Sequence, residues 1–209
     1  MKDAIAVIHE RTSINKFDPS KKISEDEIRT LVADAIEAPS SYNIQHWRFI
    51  AVTDPEMKKQ LQAASYNQAK VGQASATMIV LGDLRGHEKL GRNYEALVQA
   101  GTMTQEAAEA AAQRGSAPYL SNPQFQRDEA IRSGAFAGMT FMIAAQARGY
   151  VTGPMIGFDP EQVKKIFKIS DRYVPVMLIT LGYPLPGNWP RKFRLSVDEV
   201  LAFNMGREF

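Results

Sequence analysis

Four short clusters hold the residues best suited to chemistry. The first is Arg11-Thr12-Ser13-Ile14-Asn15-Lys16-Phe17. On an extended chain Arg11, Ser13 and Asn15 point to one side. Together they offer a cation, a hydroxyl and a carboxamide, a set that suits a phosphate and the polar edge of a ring. A surface turn with unrelated polar residues has the same composition. The second cluster, Ala38 to Trp47, joins a helix end to a strand start. It packs Pro39, Ser40, Ser41, Asn43 and Gln45 into one link, more polar groups than a plain turn requires. The third, Gly149 to Asp159, is glycine-rich after an apolar helix, which lets a ligand approach the backbone closely. The fourth is Lys192-Phe193-Arg194, whose i, i+2 spacing puts two cations on one side of an extended chain. With Arg11 they make three cations for a dianionic phosphate, although a solvated basic tail reads the same way.

Composition narrows the chemistry. The 209 residues include no cysteine, which removes disulfides, a thiolate nucleophile, iron–sulfur ligation and cysteine-based zinc sites. His9, His46 and His87 are far apart and none forms an HxxxH pair, so no metal site is expected. Redox chemistry here has to come from an organic cofactor. With 44% hydrophobic and 23% charged residues the chain reads as an ordinary globular domain. A net charge of +2 is too small an excess to argue for nucleic acid. No apolar run reaches the roughly 18 residues of a membrane span. The first residues lack the apolar stretch of a secretory signal, so no membrane association and a cytoplasmic location are expected.

These clusters need elements to position them. Ser24 with Glu27 forms a capping box ahead of Ile28, Leu31, Val32, Ala35 and Ile36, with Pro39 beyond the helix end. Asp54–Pro55 and Asp159–Pro160 are N-caps with proline at the first helical position, and Ser196 with Glu199 is a second capping box. A helix over 105–114 is alanine-rich with charges at helical spacing. The longest candidate, Gln126 to Arg148, is apolar around much of its circumference, so it is central to a core or an interface; Gly149 closes it. Strands are predicted over Trp47–Val52, Thr77–Leu81 and Val174–Leu181. Stretches 86–101 and 115–124 read as long connections, and the whole 86–125 excursion is a candidate cover for a site. The sum is one α+β domain over 1–209 with a mixed sheet flanked by helices. No GxGxxG follows a strand and no GxxxxGK[ST] occurs, so the nucleotide folds that depend on those loops lack them.

Taken in order, the clusters resemble the nitroreductase family of FMN-dependent oxidoreductases, over roughly Ile5 to Val200. The family's R-x-S-x-[RK]-x-F pattern is matched by Arg11, Ser13 and Phe17, and A-P-S-S-x-N-x-Q-P-W-x-F by Ala38 through Phe49, with His46 where proline is usual. The runs NQAKVGQASATMIVLGDL (67–84) and DRYVPVMLITLGYP (171–184) fit a bacterial subgroup of NAD(P)H nitroreductases.

The resemblance implies an intertwined homodimer with FMN at each of two interface sites. It places Arg11, Lys192 and Arg194 on the FMN phosphate, with Thr12 and Ser13 beside it. Asn15, Asn67 and Lys70 fall at the pyrimidine edge. Pro154, Met155, Ile156 and Gly157 lie along the isoalloxazine, and Pro39, Ser40, Ser41 and Asn43 come from the partner subunit. Asn15 stands where the family usually has Lys or Arg, and Ile156 where some members have Glu. The implied reaction passes hydride from NADH or NADPH through FMN to a nitroaromatic or quinone by a ping-pong scheme, with no catalytic side chain named. A specialised enone, semialdehyde or dehalogenating reductase, and a flavin carrier or sensor with little turnover, are the alternatives.

Overall fold

The structure is a computed structural model that describes residues 3–206 and 208. Four strands form one sheet in the order β1-β2-β4-β3, with β1 Trp47–Val52, β2 Ala76–Asp83, β3 Val151–Met155 and β4 Tyr173–Gly182. The helices are α1 Ala4–Glu10, α2 Glu25–Ala35, α3 Pro55–Ala63, α4 Ala69–Gln73, α5 Leu90–Gln99, α6 Gln105–Ser116, α7 Pro123–Ala147, α8 Pro160–Ile166 and α9 Val197–Val200. The fold is α+β, as expected. The expected mixed sheet is corrected: all three ladders are antiparallel. The parallel pairing is an isolated bridge between Ser13 and Thr152. Apolar runs specify burial and carry no information about strand direction, so they do not distinguish a mixed sheet from this antiparallel one.

β2 is buried along its whole length. Its side chains alternate between two cores. Met78 and Val80 face α2 and α7 with Leu31, Phe141 and Ile179. Ile79 and Leu81 face α3 and α8 with Leu61, Val163 and Leu178. The helices thus cover both faces of the sheet.

Local signals account for the helix ends. Ser24 and Glu27 make the reciprocal capping box, and Asp54 and Asp159 cap α3 and α8 ahead of their prolines. The long helix begins earlier than expected because Asn122 Oδ1 accepts from the Phe125 amide with Pro123 in the first turn. It ends in a Schellman arrangement: Gly149, at φ +86°, donates to Gln146 O and Tyr150 to Ala145 O. Small residues on α7 let it approach the sheet. A Cβ on Gly82 would meet Ala130 O at 2.5 Å, and one on Gly134 would meet Val176 at 2.8 Å.

The 86–125 excursion is helical rather than a pair of long connections. A 3-10 turn at Gly86–Lys89 leads into α5, and α5 packs antiparallel on α6. Ile44, Leu90 and Tyr119, with Tyr94, Ala112 and Phe125 around them, seat it on the segment before β1. Beyond β4, the chain from Leu185 runs as an exposed arm carrying Trp189, Phe193, Phe203 and Met205.

Candidate functional site

The site is built at the β3 edge of the sheet. Residues 11–17 run extended beside β3: Ile14 donates to Thr152 O at 3.0 Å and is buried, while Ser13 and Asn15 face outward. The approach is close enough to require glycine, since a Cβ on Gly153 would lie 2.4 Å from Ile14 O. Ser13 and Asn15 are exposed with buried Ile14 between them, the alternation of an extended segment, while Arg11 stands at the C-cap of α1.

The arm returns over this segment. Thr12, Ser13, Trp189, Pro190, Arg191, Lys192 and Arg194 line a cleft of about 80 Å³. Arg11, the residue before that lining, has its Nη1 buried with no hydrogen-bond partner. Burial, then Arg194 and Arg191, push the Arg11 guanidinium below its ordinary pKa; it stays charged all the same. A buried, unpartnered guanidinium nitrogen beside two further arginines is a place for an anion. Arg194 Nη1 is held on its own backbone, at Lys192 O and Phe193 O. Sequence reasoning missed Arg191, which donates to Ile8 O, His9 O and Arg11 O at the end of α1.

Next to the cleft, Lys70 Nζ lies 3.4 Å from Asn15 Oδ1. Burial, then Lys192, lower its pKa. Asn67 precedes α4 in the left-handed region at φ +57°. Gln68, also missed, ties that loop to the end of β3: its Nε2 donates to Gly157 O at 2.8 Å and to Ser65 O at 3.2 Å. Of the 154–157 set, Met155 turns its side chain into the core, so only its backbone faces this edge. Ile156 is 81% exposed and presents an apolar side chain to solvent next to Gly157, which Gln68 holds.

Pro39, Ser40, Ser41 and Asn43 lie elsewhere. They precede β1, on the opposite edge of the sheet. Thr152 pairs with Leu181 and Leu181 with Ala76, one step past the Thr77–Val52 pair, whereas the 39–43 loop enters at Trp47, the far end of β1. At about 4.8 Å per strand and 3.4 Å per residue, the two groups sit at diagonal corners roughly 28 Å apart. The loop is held in an unusual shape, with Tyr42, Asn43 and Gln45 at φ of 51°, 54° and 57°. Ser40 Oγ accepts from the Gln45 amide at 2.9 Å, and Asn93 Nδ2 donates to Asn43 O at 2.7 Å. Positive φ at non-glycine residues is strain that concentrates at binding sites. His46 is fully buried, its Nδ1 2.6 Å from Asp83 O, and it stacks on Tyr119. It is a packing residue at the foot of the excursion.

The family model that matches this chain, the Nitroreductase family, spans residues 8–183. The chain belongs to the nitroreductase family. YodC of Bacillus subtilis (strain 168), named among the NAD(P)H nitroreductases, is 38% identical over 182 residues, 87% of this chain and 90% of that one. The CLA biosynthesis enone reductase of Lactiplantibacillus plantarum is 31% identical, covering 86% of this chain and 85% of its own. A nitroreductase-fold structure from Exiguobacterium sibiricum 255-15, solved in complex with FMN, superposes with a TM-score of 0.90 at 30% identity, covering 98% of both chains. No helix among the described residues is long and apolar enough to cross a membrane, and no group of three or more potential metal-ligating His, Asp or Glu occurs among them.

Proposed function

We propose that this chain is an FMN-dependent oxidoreductase that takes reducing equivalents from NADH or NADPH and delivers them to a small electron-poor acceptor. The observation that carries the reading is the buried, unpartnered Arg11 Nη1, within electrostatic reach of Arg191 and Arg194, which with Lys192 line the adjoining cleft. A phosphate satisfies that nitrogen and relieves the mutual repulsion of the cations. The FMN complex of the E. sibiricum relative supports the same ligand. FMN seated there supplies two-electron redox chemistry that these side chains lack.

The chain's own residues bind and orient. Arg11, Lys192 and Arg194 hold the phosphate, with Thr12 and Ser13 beside it. Lys70, with Asn15 and Asn67, puts a positive charge against the polar edge of the ring, where negative charge gathers on reduction. Gln68 fixes Gly157 so that the backbone of Pro154 to Gly157 backs the ring. The exposed Ile156 side chain adds an apolar surface for a planar molecule. Donor and acceptor share that surface and occupy it in turn, giving ping-pong kinetics. A nitroaromatic or quinone is the acceptor class. The similarity to an enone reductase adds an activated C=C bond as a second class.

The diagonal separation of Arg11 and Ser41 supports a homodimer in which each site takes its 39–43 loop from the second copy. The exposed arm supports it as well: Trp189 is 70% and Phe193 81% exposed, an apolar surface that association covers. The test of the proposed reaction is anaerobic. The purified protein should be yellow, should release FMN and not FAD on denaturation, and should bleach when NADH or NADPH is added. Protein that binds FMN but is not bleached by either nucleotide would reduce the reading to a flavin carrier.

A further inference from the structure

The cations in and beside the cleft sit on two segments far apart in sequence, Arg11 on the N-terminal one and Arg191, Lys192 and Arg194 on the arm. Something must set the register between them, because the arm is exposed and adds no strand to the sheet. Backbone bonds join the two segments at Lys16–Leu185 and Asp18–Tyr183, and beyond them the side chain of Asn188 ties the arm to residues 15 and 16. Asn188 Oδ1 accepts from the amides of Asn15 and Lys16, at 2.8 and 2.9 Å. Its Nδ2 donates to Lys16 O and Leu185 O, at 3.0 and 2.9 Å. All four hydrogen-bonding positions of the carboxamide are used, two as acceptor and two as donor. Aspartate has the shape without the donors, and leucine the shape without either.

The turn that presents Asn188 is built for it. Leu185 donates to Lys16 O at 3.0 Å, and Gly187 adopts φ +84°, a conformation that glycine takes without strain. Three residues on, Arg191 ties the arm to the last carbonyls of α1. The arm is therefore fastened on both sides of the Thr12–Ser13 floor of the cleft.

We propose that Asn188 is the positioning residue of the anion cleft, setting the register at which Arg191, Lys192 and Arg194 face Arg11 across Ser13. The proposal rests on the reading of that cleft as the FMN phosphate site. It predicts a specific loss: Asn188→Ala should forfeit the part of the affinity that comes from the phosphate. The measurement is the ratio of FMN to riboflavin affinity, by fluorescence titration of apoprotein, since riboflavin has the ring and lacks the phosphate. In Asn188→Ala the ratio should fall at least tenfold. Asn122→Ala, which removes the α7 N-cap far from the cleft, should lower Tm and leave the ratio unchanged. Asn188→Ser is read in the same way where the alanine variant does not accumulate. An unchanged ratio, or equal weakening of both flavins, would overturn the positioning role. Wild-type protein that binds the two flavins equally would overturn the phosphate reading itself, a distinguishable failure.

Discussion

Lys70 Nζ stands 3.4 Å from Asn15 Oδ1, so the cation beside the Asn15 position is contributed by the start of α4. Lys16 does not fill that place, because its amine lies over Gly187, where an added Cβ would be 3.0 Å away. Lys70 is partly buried, and burial with the nearby Lys192 already lowers its pKa. A positive charge in such a place favours the more negative, reduced form of a flavin. Lys70→Gln should lower the midpoint potential of bound FMN by about 30 mV or more, equivalent to about 1.4 kcal/mol for a two-electron couple. Spectroelectrochemical titration reads it; an unchanged potential would remove Lys70 from the ring edge.

Arg11 and Arg194 differ in setting, and their variants should differ in degree. Arg11 Nη1 is buried without a partner, while Arg194 is exposed and partly engaged with its own backbone. A charge-assisted contact is worth about 1.5–3 kcal/mol. Arg194→Ala should weaken FMN binding roughly tenfold, and Arg11→Ala by more. Titration of the apoproteins with FMN gives the order, and equal affinity across wild type and both variants would contradict the assignment.

Acid stability has an identifiable contributor outside the site. Glu27 accepts from Tyr150 Oη, from the Ser24 amide and from Ser24 Oγ. These bonds, that of Tyr150 first, pull its pKa from 4.5 to about 2. A depressed carboxylate pKa contributes stability that is complete above the unfolded-state value and is lost as pH falls through the folded value. Wild-type stability should therefore decline from about pH 4.5 towards pH 2 through this residue. Glu27→Gln should flatten that limb, and Glu27→Ala should cost about 1 kcal/mol at neutral pH through loss of the glutamate half of the capping box. Urea unfolding across the pH series checks both; parallel curves for wild type and Glu27→Gln would exclude the contribution.

The excursion rides on the strained loop before β1. A Cβ on Gly115 would meet the Tyr42 ring at 3.0 Å, and Asn93 holds Asn43 O. In the proposed dimer it therefore lies near the flavin bound by the second copy. Replacing residues 95–113 with a short linker, with Leu90, Asn93, Gly115 and Tyr119 retained, should change acceptor KM and leave FMN affinity within about twofold, since neither a proposed flavin contact nor the Asn93–Asn43 bond is removed. Steady-state kinetics with a nitroaromatic and a quinone decide the matter. Wild-type parameters for both would make the excursion structural.

What was legible in the sequence was local. Ser24 with Glu27, Asp54–Pro55 and Asp159–Pro160 are signals contained within four residues, and each marks an observed helix start. β1, β2 and β4 announce themselves as continuous apolar runs, although only β2 is buried along its whole length. β3 lies in the glycine-rich segment, where Gly153 and Pro154 break the pattern that marks a strand. Here Gly153 admits Ile14 O, and β3 is an edge strand of the four. Asn188 and Arg191 were missed for a different reason: their partners lie more than 170 residues away, and nothing in a lone Asn or Arg records that distance. The motif residues Ser13 and Asn15 were legible because period-two spacing survives in any extended segment.

A flavin site completed by two copies is the central claim, and mixing two defective chains tests it. One carries Arg11→Ala with Lys70→Ala, which removes the β3-edge half of the site. The other carries Ser41→Trp, which blocks the exposed loop half. Each alone should bind little FMN. In an equimolar mixture refolded together, half of the dimers are mixed and each has one intact site, so bound FMN should recover to about a quarter of the wild-type amount per chain. Full FMN binding by Ser41→Trp alone, or a mixture that binds no more than its separate components, would contradict the shared site.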